Sequence, residues 1–317
     1  MSITVDLAQI RLAHTKIAGY VRHTPLVDAA PVKQRAAEID KLYLKLECMQ
    51  IIGSFKARGA VNKLLSLPLE QVERGIVAAS GGNHGLGVAY AGWLAKAPVT
   101  IYLGHNTPSI KAKKLESWGA KVILEGEVWD DANRAAVAAA ERDGLAYFHP
   151  FADASVIAGQ GTVGLEILEA VPEVDTLLVA IGGGGLISGV SLAAKALNPA
   201  IRVIGVEPVG AASLYNSLQL GHLVGVDEIH TAANTLAPRL SAPINFEIIQ
   251  KNVDEIVLVT DDEMYQAARW LWLEMGVAAE LSGAAALAAL LSGKIQTTPT
   301  QKICALVCGA GTDGVDH

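Results

Sequence analysis

Four short stretches of this 317-residue chain hold residue types that could act on one small molecule. The first is Gly182-Gly183-Gly184-Gly185-Leu186, placed after an apolar run and before a helical one. Glycines at a strand-to-helix turn let successive N–H groups surround an anion, and the helix start adds positive potential. A phosphate monoester suits such a cup. The pattern is not Gly-x-Gly-x-x-Gly at a first strand, and no Gly-Lys-Ser/Thr follows, so dinucleotide and nucleoside-triphosphate readings are weak. The second stretch is Gly53-Ser54-Phe55-Lys56-Ala57-Arg58-Gly59-Ala60. Lys56 stands at a predicted helix start, where the dipole disfavours a cation. A cationic helix end lowers an amine's pKa and makes it a better nucleophile. Read alone, Lys56 fits better as a solvated lysine on an amphipathic helix.

The third stretch is Ser80-Gly81-Gly82-Asn83-His84-Gly85. Its small residues expose N–H groups suited to a carboxylate. His84 invites a general-base role, yet no carboxylate lies near it in sequence, and a capping or packing histidine is the plainer reading. The fourth is Val307-Cys308-Gly309-Ala310-Gly311-Thr312-Asp313-Gly314. Alone, Cys308 reads as a small buried hydrophobe. Cys304 and Cys308 share a strand face, which suits neither zinc nor a disulfide.

These stretches need a frame that brings them together. Apolar β-branched runs predict strands at Ile76–Ala79, Val99–Leu103, Val122–Leu124, Thr176–Ile181, Arg202–Val206, Glu255–Val259 and Lys302–Val307. Their continuous hydrophobicity marks parallel strands buried on both faces. Helices are predicted between them, at Leu86–Lys96, Ile110–Trp118, Asp130–Arg142, Gln160–Ala170, Ile187–Leu197, Asp262–Met275 and Gly283–Leu291, with another at Leu7–Val21. Thr260 followed three residues later by Glu263 is a helix-start signal. Such alternation predicts an α/β fold with open parallel sheets. No linker is visible; the length suits one large α/β unit or two domains, one inserted in the other so that the chain crosses between them twice. Residues Leu220–Ala242, with Pro238 inside and Pro243 after, are weakly periodic and read as a loop that could lie over a site.

Composition excludes several functions. Hydrophobic residues are 51% and charged residues 18%, so the chain is not disordered. A net charge of −7 argues against nucleic acid and anionic membranes. The longest apolar runs, such as Ala284–Leu291, fall short of the about 18 residues that span a bilayer. Met1 to Asp6 lack the basic start of a leader, which gives a cytoplasmic expectation. Three cysteines cannot form a disulfide framework. Taken together, a phosphate cup, a carboxylate cradle and a lysine able to reach a carbonyl meet the demands of pyridoxal 5′-phosphate (PLP).

The chain resembles the fold-type II PLP-dependent enzymes, specifically their serine/threonine dehydratase and serine racemase group. The matching motifs run from end to end: His23-Thr24-Pro25-Leu26, Lys45-Leu46-Glu47, Ser54 to Ala60, Ser80 to His84, Ala158-Gly159-Gln160-Gly161-Thr162, Gly182 to Gly185, Val206-Glu207-Pro208 and Cys308-Gly309. The resemblance implies two open, mostly parallel twisted sheets flanked by helices, like the tryptophan synthase β chain. It implies a large PLP-binding domain of residues 1–65 and 147–317, and a small inserted domain of residues 66–146 that closes over substrate. Lys56 would be the Schiff-base lysine, with Phe55 near the ring. Asn83 would bond the cofactor's 3′-oxygen. Gly182, Gly183, Gly184, Gly185 and Leu186 would hold the phosphate, and Cys308 would face the pyridine nitrogen. Ser80, Gly81, Asn83 and His84 would surround the substrate carboxylate.

The implied activity is β-elimination on a 3-hydroxy amino acid such as L-threonine or L-serine, giving a 2-keto acid and ammonia. A cytoplasmic homodimer is implied, with no membrane or nucleic-acid partner. Departures from the family pattern leave alternatives. Gly81 stands where a racemase of this group has Ser, so serine racemisation lacks its second base. Asn234-Thr235 and Glu280-Leu281-Ser282-Gly283 differ from the usual Asp-Gly and Glu-Pro-Thr/Ser-Gly, and Gly311 from an expected Asn. Gly81 and the altered loop could open space for a bulkier substrate, 3-phenylserine or, with no arginine cluster to hold a second carboxylate, less readily 3-hydroxyaspartate. Of the family's metal pair Glu207 remains, while Ser213 replaces the Asp. The chain ends soon after Cys308, so no regulatory domain is expected. A non-catalytic anion-binding protein is the distant alternative.

Overall fold

The structure, a computed structural model, describes residues 5–315. Residues 1–4, part of the stretch in which no leader was read, lie outside the described residues. The chain opens with α1 (Leu7–Ile17), β1 (Leu26–Asp28), β2 (Lys41–Leu46), α2 (Lys56–Leu64) and α3 (Leu69–Arg74). It continues through β3 (Ile76–Ala79), α4 (Asn83–Ala95), β4 (Val99–Leu103), α5 (Ser109–Glu116), β5 (Lys121–Leu124), α6 (Trp129–Asp143) and β6 (Ala146–Tyr147). Then come α7 (Ala154–Ala170), β7 (Thr176–Ala180), α8 (Gly185–Leu197), β8 (Arg202–Pro208), α9 (Ser213–Leu220) and α10 (Pro243–Asn252). The last elements are β9 (Glu255–Val259), α11 (Asp261–Met275), α12 (Leu281–Leu291) and β10 (Lys302–Val307).

Two sheets result, as the α/β reading expects. The first has the order β1-β2-β10-β7-β8-β9 and is parallel except for β1 at its edge. The second, β5-β4-β3-β6, is parallel throughout. The chain leaves the first sheet after β2, builds the second, and returns at β7. Every residue of β7 is buried, because α8 and α12 both pack on it. The larger core is aliphatic, with Leu177, Val179, Ile187, Val203, Ile204 and Leu287 at its centre. A second core surrounds β3 and β4, with Ile76, Ile101 and Leu103 fully inside.

Local chemistry explains where elements start. Thr260 and Glu263 form a reciprocal capping box at α11, and Gly276 ends it at φ 64°. α7 begins six residues earlier than the pattern suggests. Asp153 caps it by accepting the N–H groups of Ser155 and Val156. α1 ends at Ile17, short of the expected Val21. α9 and α10 flank the expected loop, and Pro243 sits in the first turn of α10, where its missing N–H is no loss.

One polar cluster interrupts the core. Arg58, Glu47, Lys45 and Glu166 are all buried. Arg58 meets Glu47 Oε1 at 2.8 Å and Glu166 Oε1 at 2.6 Å, while Lys45 Nζ meets Glu166 Oε2 at 2.5 Å. Burial works against these charges, but the pairing wins: Arg58 is held above the usual guanidinium range and the Glu166 carboxyl below the usual carboxylate range. The cluster pins α2 to β2 and α7, two residues beyond Lys56.

Candidate active site

The C-terminal ends of β3, β7 and β10 face one cavity of about 690 Å³, lined by Ala79, Ala180 and Cys308 at those ends. Crevices at the carboxyl ends of parallel strands are where open α/β sheets hold ligands. All four stretches singled out by sequence contribute to it, although they span residues 55 to 308.

Lys56 is the first residue of α2. The turn that delivers it is strained: Ile52 has φ 66° and ψ 0°, a region a β-branched residue rarely enters. Its Nζ donates to the Pro150 carbonyl at 2.7 Å and lies 5.2 Å from the Phe55 ring centroid. Desolvation pushes the amine down to about 8. Burial, and not the helix end, is therefore the main cause, which corrects the mechanism expected from sequence while keeping its direction.

The glycine turn leads from β7 into α8. Gly184 has φ +90°, left-handed backbone that favours glycine. A Cβ on Gly183 would lie 2.2 Å from the Phe151 ring, so no larger residue fits this cup. The N–H groups of Gly183, Gly184, Gly185 and Leu186 have no backbone acceptor among the described residues, as at any free helix start. Leu186 itself is buried.

The Ser80–His84 loop forms the facing wall. Ser80 Oγ accepts the Gly82 N–H at 3.2 Å. His84 is buried, its Nε2 2.8 Å from the Phe148 carbonyl. Burial, reinforced by the Lys56 charge, pushes it down to about 3, so it is a neutral packing histidine whose Nε2–H donates. The loop is tighter than expected at Gly81. An added Cβ would meet Thr107 Cγ2 at 2.9 Å and Leu103 Cδ2 at 3.4 Å. The glycine therefore opens no space for a bulkier substrate, since neighbouring side chains already fill it.

Cys308 is buried, and its Sγ lies 3.4 Å from the Ser282 carbonyl. Burial drives its thiol well above the ordinary range, so it stays protonated and uncharged. Glu207, retained from the implied metal pair, is buried against the start of α9. Its carboxyl oxygens accept the Leu214 and Tyr215 N–H groups at the start of α9, at 3.0 and 2.7 Å. No group of three or more His, Cys, Asp or Glu side chains fit for a metal forms among the described residues.

Sequence reasoning passed over some contributors and gave others no role in the site. Pro150 and Phe151 touch Lys56 and the glycine cup; only their proximity in space reveals them. Segment Asn234–Arg239 lines the mouth, with Thr235 and Leu236 backing Gly182. This segment lies in the weakly periodic stretch read as a covering loop. Glu280 enters the cavity wall just before α12. It was noted only as part of an altered motif, and its partner Asn83 is 197 residues away.

The donor set fits PLP: a free N–H cup sized by glycine for a phosphate, a partly desolvated amine for an aldehyde, and a neutral thiol in the same cavity. The model of the family described as pyridoxal-phosphate dependent enzyme matches residues 17–309. The L-threonine ammonia-lyase of Thermotoga maritima is 40% identical over 309 residues, which cover 98% of this chain and 76% of that protein. A solved serine racemase from maize superposes with a TM-score of 0.92 at 36% identity, covering 96% of this chain and 93% of that one. The processed form of threonine deaminase isoform 2 from Solanum lycopersicum superposes with a TM-score of 0.88 at 35% identity, covering 96% of this chain and 83% of that one.

Proposed function

The chain belongs to the pyridoxal-phosphate dependent enzyme family, and from that premise we propose that it is an ammonia-lyase for a 3-hydroxy amino acid such as L-threonine or L-serine. Water leaves across Cα and Cβ, and later addition of water releases ammonia, so the net products are a 2-keto acid and ammonia. One observation carries this reading: Lys56, the glycine cup, the Ser80–His84 loop and Cys308 line a single cavity. The named threonine ammonia-lyase and deaminase relatives support it.

When bound, PLP supplies a sink for negative charge developing at the substrate α-carbon. Its phosphate would lie against Gly182 to Gly185 and Leu186, with Phe55 near the ring. The Ser80, Gly81, Asn83 and His84 segment would hold the substrate carboxylate through backbone N–H groups. Lys56 would take the α-proton, and an amine near 8 is neutral often enough at neutral pH to do so. Cys308 would present no charge to the ring nitrogen, which disfavours long-lived carbanions and favours elimination. The unit 66–146 would close over substrate, with segment 234–239 excluding water. A cytoplasmic homodimer is part of the same reading; no helix among the described residues is long and apolar enough to cross a membrane.

A panel of L-threonine, L-serine, 3-phenylserine and 3-hydroxyaspartate, with keto acid, ammonia and D-serine all measured, tests this reading. Equal amounts of keto acid and ammonia from threonine or serine are expected, and none from Lys56→Ala. Turnover of only the bulkier substrates, or D-serine as the main product, would overturn it.

A further inference from the structure

We propose that Glu280 is a positioning residue whose carboxylate decides which end of the Asn83 amide bonds to the wall and which groups it leaves for the cavity. This rests on the reading above, in which PLP occupies that cavity. An asparagine amide can turn end for end with little change in packing, because its oxygen and its NH2 are nearly the same size. Some neighbour must choose between the two. Glu280 Oε1 lies 2.7 Å from Asn83 Nδ2. An ionised carboxylate only accepts, so the NH2 end turns to Glu280 and its second hydrogen remains for a ligand oxygen.

The fold builds a place for this carboxylate. Gly309 carries no side chain, and a Cβ there would lie 2.3 Å from Glu280 Oε1. A Cβ on Gly311 would meet the Glu280 Cβ at 2.7 Å. Asp313 Oδ2 accepts the Leu281 N–H at 2.8 Å and so fixes the backbone just after Glu280. Thr235 Oγ1, 3.2 Å from Oε1, is a second donor, and it also meets Ser282 Oγ. Four segments remote in sequence, at Asn83, Thr235, Glu280 and Gly309, converge on one oxygen.

The choice holds only while Glu280 is ionised. Around it are the neutral Asn83 and Thr235, the Asp313 carboxylate, the Lys111 amine from α5 and the uncharged Cys308 thiol. Burial dominates, the two donors and Lys111 oppose it, Asp313 adds to it, and the carboxyl is pushed up to about 6. Below that, Glu280 can itself donate to Asn83 Oδ1, and the amide is released to turn.

The test compares PLP binding by cofactor-free wild type and Glu280→Gln across pH, read by tryptophan fluorescence and by absorbance after dialysis. The ratio of the two affinities is the readout, because the PLP phosphate itself titrates near about 6. Glutamine offers both a donor and an acceptor, so it cannot choose. Wild type is expected to bind about tenfold more tightly at roughly pH 8, and equally well at roughly pH 5. Thr235→Val removes one donor to the carboxylate, and the pH at which its advantage over Glu280→Gln appears should move upward. A ratio of one throughout, or a ratio that does not vary with pH, overturns the proposal. So does a wild-type to Thr235→Val affinity ratio that stays constant across pH, a comparison that needs no Glu280→Gln protein and so serves if that variant fails to fold. Absence of a covalent adduct on wild-type Lys56 would instead sink the PLP reading, whereas an adduct with a flat ratio sinks the Glu280 role alone.

Discussion

Lys56 Nζ has a carbonyl oxygen and a phenyl ring for neighbours, and it loses water without gaining a carboxylate. Desolvation disfavours the ammonium and brings it down to about 8 from an ordinary 10.5. The neutral amine is the form that attacks an aldehyde, so the rate at which cofactor-free protein captures PLP should rise with pH and be half-maximal near 8. Stopped-flow absorbance checks this; a rate still climbing toward the ordinary lysine value would contradict it. Neither His84 in the cavity wall nor His149, which precedes Pro150 of that wall, contributes a competing step. His84 is pushed down to about 3 and His149 to about 4, each first by burial and then by the Lys56 charge. Gly182–Gly185 were legible from residue type and context, whereas Lys56, which read alone as a solvated lysine, was legible only through the chemistry it would share with the glycine cup and the carboxylate cradle. Glu280 was not, because its meaning comes from an oxygen, an amide and a missing Cβ brought together by tertiary folding.

Among the elements, α2 has the heaviest task, since it carries Lys56 at its first residue and Arg58 two residues on. Arg58 pairs with Glu47 and shares Glu166 with Lys45 in a buried cluster. Arg58→Met would leave two carboxylates buried with one cation, and is expected to destabilise the protein by about 3–5 kcal/mol. Denaturant unfolding measures it, and a loss under about 1 kcal/mol would contradict the view that this cluster anchors α2. The apolar strands β3, β7 and β10 were legible at or within a residue of their bounds, because burial on both faces writes a continuous pattern. β2 was not, because Lys41 and Lys45 break its apolar run and the charge on Lys45 is neutralised only by Glu166 from α7. α10 was missed for a local reason: Pro243 looks like a stop signal and is instead a start.

At the scale of the molecule, one chain excursion between β2 and β7 builds the second sheet and brings Ser80–His84 opposite Gly182–Gly185. The α/β architecture was legible from the alternation of patterns. The meeting of the four stretches was legible only through the chemistry they would share, since nothing in their spacing brings residue 56 to residue 308. The segment over the mouth was legible as a loop; its tie to the facing unit, Arg239 4.0 Å from Asp130, was not. The whole account requires that this assembled cavity bind one aldehyde by its phosphate and join it to one amine. Reduction of the PLP-loaded protein with borohydride, followed by digestion and mass spectrometry, measures that directly. The account predicts a single reduced pyridoxyl label, on Lys56; a label on another lysine, or on none, would contradict it.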